Sequence, residues 1–403
     1  MPKACLMKEQ YPGVDVLRFL AAMMVFVYHF GFWHNLPADE TFALWNPVDA
    51  YPLREWTHFG WVGVEIFFVI SGFVISFSAR NATPGAFFTA RALRLAPAVW
   101  FCAPLTFLVY LFILNKPPSE LLANLIKTML FVPGNSQIDG AYWTLAIEIS
   151  FYLLIWFMLF KKIEGAPEKL PVVFMAISLT FWSAYFIASA VWGPVIHNIL
   201  LIKLISHHGL HVLLVQHGCF FGLGMLLSAM SYRRLSIAEG LCCAGLLIAC
   251  WLEIVGQNRI LVFTAGVALS PWPALGMWTA AMAALLFCTL LNRRLSRALA
   301  GCSGVIRTLG LMSYPVYLIH NPIGLACFYL ELGGRGFFAN LAISVALILF
   351  AAWVVATRIE PFVRRWLRAA ILTLQSLKRA AEAGRSLAPI QVSADRGTVV
   401  KSN

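Results

Sequence analysis

Charge is scarce in this chain: only 12% of its 403 residues are Asp, Glu, Lys or Arg, and just 18 are acidic. A soluble globular domain carries about 25% charged residues, so so little charge excludes an ordinary water-facing surface over most of the molecule. Also missing are a GxSxG elbow, a P-loop, a GxGxxG turn and any Cys-based metal motif. Their absence leaves no motif ground for an α/β-hydrolase, a P-loop NTPase, a dinucleotide fold or a zinc-finger module. None of the nine Cys falls clearly in the polar stretches 35–59, 115–141 or 331–336, and most sit in apolar runs. They read as small core residues rather than a disulfide framework. No repeat period or inverted symmetry of the transporter kind is visible. The first apolar run is too long for a signal-peptide core and lacks a small-residue cleavage site, so it is expected to persist as an anchor.

What the chain has is apolar length. Hydrophobic residues make up 60% and aromatics 14%, with a mean hydropathy of +0.78. The apolar runs approach twenty residues, twice what a barrel strand needs. The expected fold is therefore all-α, a polytopic membrane protein of about ten helices, at 14–34, 60–79, 96–114, 142–160, 171–191, 211–231, 237–256, 274–291, 311–330 and 337–357. Two further stretches, 195–210 and 259–272, are apolar enough to hold a re-entrant segment or another span. The formal charge of +12 reports topology: with both termini cytoplasmic, most of the Lys and Arg fall on the cytoplasmic side. No nucleic-acid partner follows from it. Residues 1–360 form the membrane domain. Residues 361–383, with Phe362, Trp366, Leu367, Ile371 and Leu374 set against Arg364, Arg365, Arg368, Lys378 and Arg379, read as an amphipathic helix on the anionic cytoplasmic lipid surface. Residues 384–403 read as disordered.

Ionisable residues inside the spans are the functional clue, because a charged side chain at mid-membrane costs about 2.5–3.5 kcal/mol on insertion scales. Arg18 and His29 share the first span. Eleven residues at 100° each return to within about 20° of the starting direction and advance about 16 Å, so both lie on one face. Glu65 enters the second span near its outer end, followed by Ser71, and Glu148 enters the fourth beside Tyr142 and Trp143. Counted along the helices, His29, Glu65 and Glu148 fall at about one depth. A carboxylate bonded to one imidazole nitrogen raises the basicity of the other, as a general base for a hydroxyl requires. Each carboxylate read singly is also compatible with a structural brace. At the cytoplasmic end, Arg91 and Arg94 are three apart and share a helical face, a spacing suited to gripping phosphate, with Arg18 at the same level. Tyr317 and His320 lie in the ninth span between Pro315 and Pro322, which leave backbone groups unpaired. Among His197, His207, His208, His211 and His217, the pair His207 and His211 has metal-ligand spacing, but no Cys or carboxylate accompanies it in sequence. An interfacial role is expected instead, and no metal.

The segments VDVLRFLAAMMVFVYH, VGVEIFFVISGFVI, RALR, YWTLAIE, SYPVYLIHNP and IEPFVRR resemble, in order and spacing, the acyltransferase 3 family of bacterial integral membrane O-acyltransferases, over about residues 11–366. The resemblance implies a ten-helix inner-membrane enzyme moving an acyl group, usually acetyl, from cytosolic acyl-CoA to a carbohydrate hydroxyl. It places His29 on the family's essential His, Arg18 on its partner Arg, Arg91 and Arg94 on its paired Arg motif, and Glu65 and Glu148 at acidic positions. Ser71, Tyr142, Trp143, Tyr317 and His320 would line the substrate cavity. Glu65 stands where Asp is common in the family. No SGNH domain is appended, so a partner protein completing transfer outside is a further expectation. The expected mechanism has His29, oriented by Glu65 or Glu148, deprotonate the sugar hydroxyl. A covalent acyl relay through His29 or a Ser is the mechanistic alternative. A proton-coupled transporter using His29, Glu65, Glu148 and His320 as a relay is the alternative from another class.

Overall fold

A computed structural model describes residues 11–36, 51–134, 137–163, 165–192 and 208–386. The chain divides into two units, residues 1–360 and 361–403. In the first, α1 (Pro12–Gly31) opens with Pro at its first helical position, where the missing N–H costs nothing, and closes on a 3₁₀ turn at Trp33–Asn35. The short α2 (Tyr51–Thr57) leads through a 3₁₀ turn to α3 (Gly63–Ala79). Thr83 caps α4 (Pro84–Phe112), its hydroxyl oxygen accepting from the Ala86 N–H at 3.3 Å. Then come α5 (Pro118–Met129), α6 (Trp143–Phe160), α7 (Ala166–Trp192), α8 (His208–Val212) and α9 (Gly218–Met230). A capping box of Ser236 and Glu239 starts α10 (Ile237–Ala265), satisfying two orphan donors reciprocally. After α11 (Trp272–Leu290) and α12 (Asn292–Ala298), α13 (Ser303–Tyr329) carries Pro315 and Pro322 internally. The last helix of the unit is α14 (Phe337–Val354), followed by a π-helical turn at Val355–Ile359.

Each of the ten expected spans overlaps a helix, but among the described residues eight segments are long and apolar enough to cross a membrane by length and composition. The exceptions are instructive. One is α9, only 13 residues long, in which every residue from Gly218 to Ala229 is buried. The other is α13, whose polar residues include Ser313, His320 and Asn321, all buried. Both lie inside the bundle: α9 packs on α3, α7 and α10, and α13 on α1, α4 and α14. A helix sheathed by other helices meets little lipid, so it need not be apolar all round. The perimeter is the converse, with Phe112, Phe157, Leu241, Phe287 and Phe350 uncovered by protein. The stretch 259–272 is neither a re-entrant segment nor another span: it continues α10 to Ala265 and stops at Gly266, φ 66°. Of 195–210, residues 195–207 lie outside the described set.

The second unit, from Pro361, comprises, among the described residues, the rest of α15 (Glu360–Ser386). Phe362, Trp366 and Leu372 on it are exposed. The tail expected to be disordered lies outside the described residues from 387 on.

The tightest helix contact is backbone on backbone. A Cβ added at Gly224 of α9 would meet the Val69 carbonyl oxygen at 1.9 Å, and one at Gly72 of α3 would meet the Phe221 carbonyl oxygen at 2.1 Å. Small residues permit this approach where lipid gives helices little hydrophobic reason to associate. Gly224→Leu is therefore expected to cost at least the ~1–3 kcal/mol typical of overpacking. It should lower the melting midpoint of the detergent-purified protein, and an unchanged midpoint would show that α3 and α9 do not meet there.

Candidate functional site

His29 stands one turn before the end of α1. Its Nδ1 lies 2.9 Å from the Val25 carbonyl oxygen and 3.2 Å from Nε2 of His320. Nδ1 of His320 lies 2.7 Å from the Tyr317 carbonyl oxygen. A carbonyl can only accept, so each ring carries its proton on Nδ1. Nε2 of His320 then accepts the second branch of the His29 donor, and the lone pair of His29 resides on Nε2. The carbonyl and the second imidazole fix the tautomer of His29.

Beside this pair a hydrogen-bonded line runs from His34 to an acid. The His34 ring lies 5.6 Å from that of His29, and its Nε2 donates to Asn321 Oδ1 at 3.3 Å. Asn321 Nδ2 donates to Asp139 Oδ1 at 3.2 Å. Asp139 also accepts from the Tyr110 hydroxyl and from the Ala141 N–H at 2.8 Å. Through the last bond it caps the 3₁₀ turn Gly140–Tyr142 that leads into α6.

The expected convergence of His29, Glu65 and Glu148 takes a different form: each joins its own partners. Glu148 Oε1 accepts from the Ser71 hydroxyl at 2.9 Å and from the Tyr152 hydroxyl. Ser71 is six residues beyond Glu65 on α3, about 9 Å along the helix, so Glu148 and Glu65 serve different levels. Sequence counting places Cα atoms, whereas a glutamate's reach moves its charge by a helical turn. Glu65 instead faces His217 and Glu253. Tyr317 lies among the three groups. Its hydroxyl accepts from Thr144 at 3.0 Å, and its ring meets Phe67 and His320 at 5.8 and 5.9 Å. Tyr142 is buried with its hydroxyl unpartnered. Trp143 packs its ring against His211 and His217.

Toward the other ends of these helices the guanidiniums gather. Arg18 is in electrostatic range of Asp15, Glu148, Tyr152 and Arg94. Arg91 lies 5.8 Å from the Tyr152 ring centre and Arg94 5.4 Å from that of Tyr314. Arg94 also pairs with buried Glu360 at 3.7 Å. Arg91 Nε and Arg94 Nη1 are nonetheless buried without a hydrogen-bond partner, which leaves donors for an anion.

Several participants escape motif reading. Glu253 had a signal, a lone carboxylate in an apolar helix; Asp139, Asn321 and His34 become a network only through contacts between distant segments. His217 is not interfacial as expected: it is fully buried. His197 and His207 lie outside the described residues, so the His207 and His211 spacing has no structural counterpart to report.

An apolar-sided bundle enclosing an imidazole pair and a guanidinium cluster defines a polytopic membrane protein with a buried polar interior. The chain belongs to the Acyl_transf_3 family, described as an acyltransferase domain, which matches residues 11–357. It is 31% identical over 191 residues to the O-acetyl transferase of Shigella phage Sf6, covering 43% of this chain and 52% of that one. It is 30% identical over 146 residues to the exopolysaccharide production protein ExoZ of Rhizobium meliloti (strain 1021), covering 34% and 42%. The acyltransferase MdmB of Streptomyces mycarofaciens is 28% identical over 164 residues, covering 38% and 40%. The matches thus span about half or less of these relatives. No solved structure matches.

Asn321→Leu keeps side-chain volume but removes one donor from Asp139 and the Asn321 acceptor from His34. Leaving a buried polar group unsatisfied costs about 1–3 kcal/mol. Thermal melts should show a lower midpoint than wild type; an equal midpoint would remove Asn321 from the network.

Proposed function

We propose that the protein is a membrane O-acyltransferase, multi-pass in the bacterial inner membrane, that moves an acyl group, acetyl in the first instance, from cytosolic acyl-CoA to a hydroxyl of a saccharide or glycolipid. The observation that carries this reading is the fixed tautomer of His29: its Nδ1–H is committed to Val25 and His320, which leaves Nε2 as the base. Family membership supports acyl transfer. The names of two relatives, an O-acetyl transferase and an exopolysaccharide production protein, favour acetyl as the group and a carbohydrate as the acceptor.

In this reading the guanidinium end faces the cytosol, and Arg91, Arg94 and Arg18 bind the phosphates of acyl-CoA, with Arg91 Nε and Arg94 Nη1, neither of which makes a hydrogen bond within the protein, supplying hydrogen bonds. Arg18 and His29 are about 16 Å apart along α1, a distance an extended pantetheine arm bridges. The acceptor enters from the opposite side. Its hydroxyl oxygen attacks the thioester carbonyl carbon while its proton passes to His29 Nε2. Collapse then breaks the C–S bond, and the imidazolium returns the proton to the departing thiolate. His320 stabilises that imidazolium by accepting from Nδ1. Glu148 is a positioning residue that holds Tyr152 and Ser71 beside the guanidiniums. The acidic contribution expected beside His29 passes to Asp139, acting through Asn321 and His34. Tyr317, Tyr142 and Trp143 are assigned to the walls of the path.

Transfer of label from radiolabelled acetyl-CoA into membrane glycans or glycolipids tests the proposal. At matched protein levels, His29→Ala should lose about 10²–10⁴-fold, the usual worth of general acid–base catalysis. Arg91→Lys should raise the KM for acyl-CoA with a smaller change in kcat, because a lysine cannot reproduce the planar fork. Absence of label with every acyl-CoA across several acceptor pools would overturn the reading in favour of a proton-coupled transporter.

A further inference from the structure

A second cluster of ionisable groups lies away from the imidazole pair and takes no part in the mechanism above. Glu65 in the first turn of α3, His217 just before α9 and Glu253 in the middle of α10 each present one donor atom, all within 4.8 Å of one another. His217 Nδ1 is 3.2 Å from Glu253 Oε1 and 4.0 Å from Glu65 Oε2. The three residues are sealed from solvent, at 3%, 0% and 0% exposure for Glu65, His217 and Glu253. Yet Glu65 Oε2, His217 Nδ1 and both oxygens of Glu253 have no hydrogen-bond partner. Three of these atoms, one from each residue, lie within 4.8 Å of one another, and such a gathering is costly without a further group. Unpaired neutral groups cost a few kcal/mol each and unpaired ions more, so buried carboxylates are normally paired or bound to a metal.

We propose that Glu65, His217 and Glu253 bind a divalent first-row transition cation, with Zn²⁺ as the best match. Charge supports this: two carboxylates and a neutral imidazole around a divalent ion sum to zero, the state a low-dielectric core favours. Distance supports it as well. Two ligand atoms each about 2.0–2.1 Å from a tetrahedral Zn²⁺ stand about 3.3 Å apart. The His217–Glu253 separation already meets that value, and Glu65 Oε2, 4.0 Å from His217 Nδ1, must close on that atom by about 0.7 Å. The donor set of one imidazole and two carboxylates suits Zn²⁺, whereas Ca²⁺ and Mg²⁺ demand six or more oxygen ligands or retained waters.

The surroundings complete the site. Nε2 of His217 lies 2.9 Å from Nδ1 of His211, and with a cation on Nδ1 it carries the proton and donates there. Such an outer bond orients a ligating histidine and raises its basicity. The rings of Phe68 and Trp143, 5.4 and 5.8 Å from that of His217, wall the site. Because the ligands come from three separate segments of the bundle, the ion acts as a clamp on α3, α9 and α10. The proposal is independent of the acyl-transfer reading.

Elemental analysis of the full-length protein, purified in detergent without chelator or a histidine tag, tests it. About one Zn²⁺ per chain is expected in wild type, falling below about a tenth in a His217→Gln, Glu253→Gln double variant, since ligand loss removes structural zinc. Should that variant fail to fold, X-ray absorption at the zinc edge on wild type decides: a first shell of N and O at about 2.0–2.1 Å supports the site, and a sulfur shell overturns it. Wild type that is folded yet takes up no stoichiometric metal after dialysis against Zn²⁺ overturns it too. The cluster would then be neutralised by protons. Metal retained in full by the folded double variant would likewise place the ion elsewhere.

Discussion

An ionisable side chain inside this bundle cannot turn to water, so it must be satisfied by protein, by a proton or by a ligand. The constraint is tight because the apolar perimeter leaves few routes outward. His29 illustrates the solution by protein: a backbone carbonyl and a second imidazole absorb its Nδ1 proton and thereby decide which nitrogen is basic. Glu148 is satisfied by two hydroxyls. Where partners run out, at Arg91 Nε and Arg94 Nη1 and at the Glu65, His217 and Glu253 cluster, the protein has donors or acceptors in reserve. Those are the places where ligands are to be sought.

The same constraint explains the architecture. Prolines inside α13 weaken its backbone ladder beside His320 and Asn321, an irregularity that lipid would punish and enclosing helices tolerate. Gly72 and Gly224 bring α3 and α9 to backbone contact, which draws Glu65 and His217 together in the same stroke. Packing and site formation are thus one event: the close helix approach that small residues permit is also what places the carboxylate beside the imidazole.

An imidazole oriented by another imidazole differs in kind from one oriented by a carboxylate. A neighbouring anion would stabilise the imidazolium by charge, whereas His320 offers only a lone pair. The nearby acid, Asp139, is joined through Asn321 to His34, whose ring lies 5.6 Å from that of His29. Its negative charge therefore acts at a distance, while its hydrogen bonds to Tyr110 and Ala141 fix the start of α6 and with it the wall that Tyr142 and Trp143 provide.

Much was legible in the sequence because periodicity, length and hydropathy are local properties. The helices, the shared face of Arg18 and His29, the neighbouring Arg91 and Arg94 and the importance of an intramembrane Glu148 all follow from residues a few turns apart. Family membership was legible as well, since its motifs are short and linear. What tertiary structure alone decided is who meets whom: His29 with His320 across 291 positions, Glu148 with Ser71, Glu65 with His217 and Glu253. Sequence counting fixes how deep a Cα lies along its helix. The partner of a side chain depends on helix rotation and on several ångströms of side-chain reach, and both are set by how the helices pack.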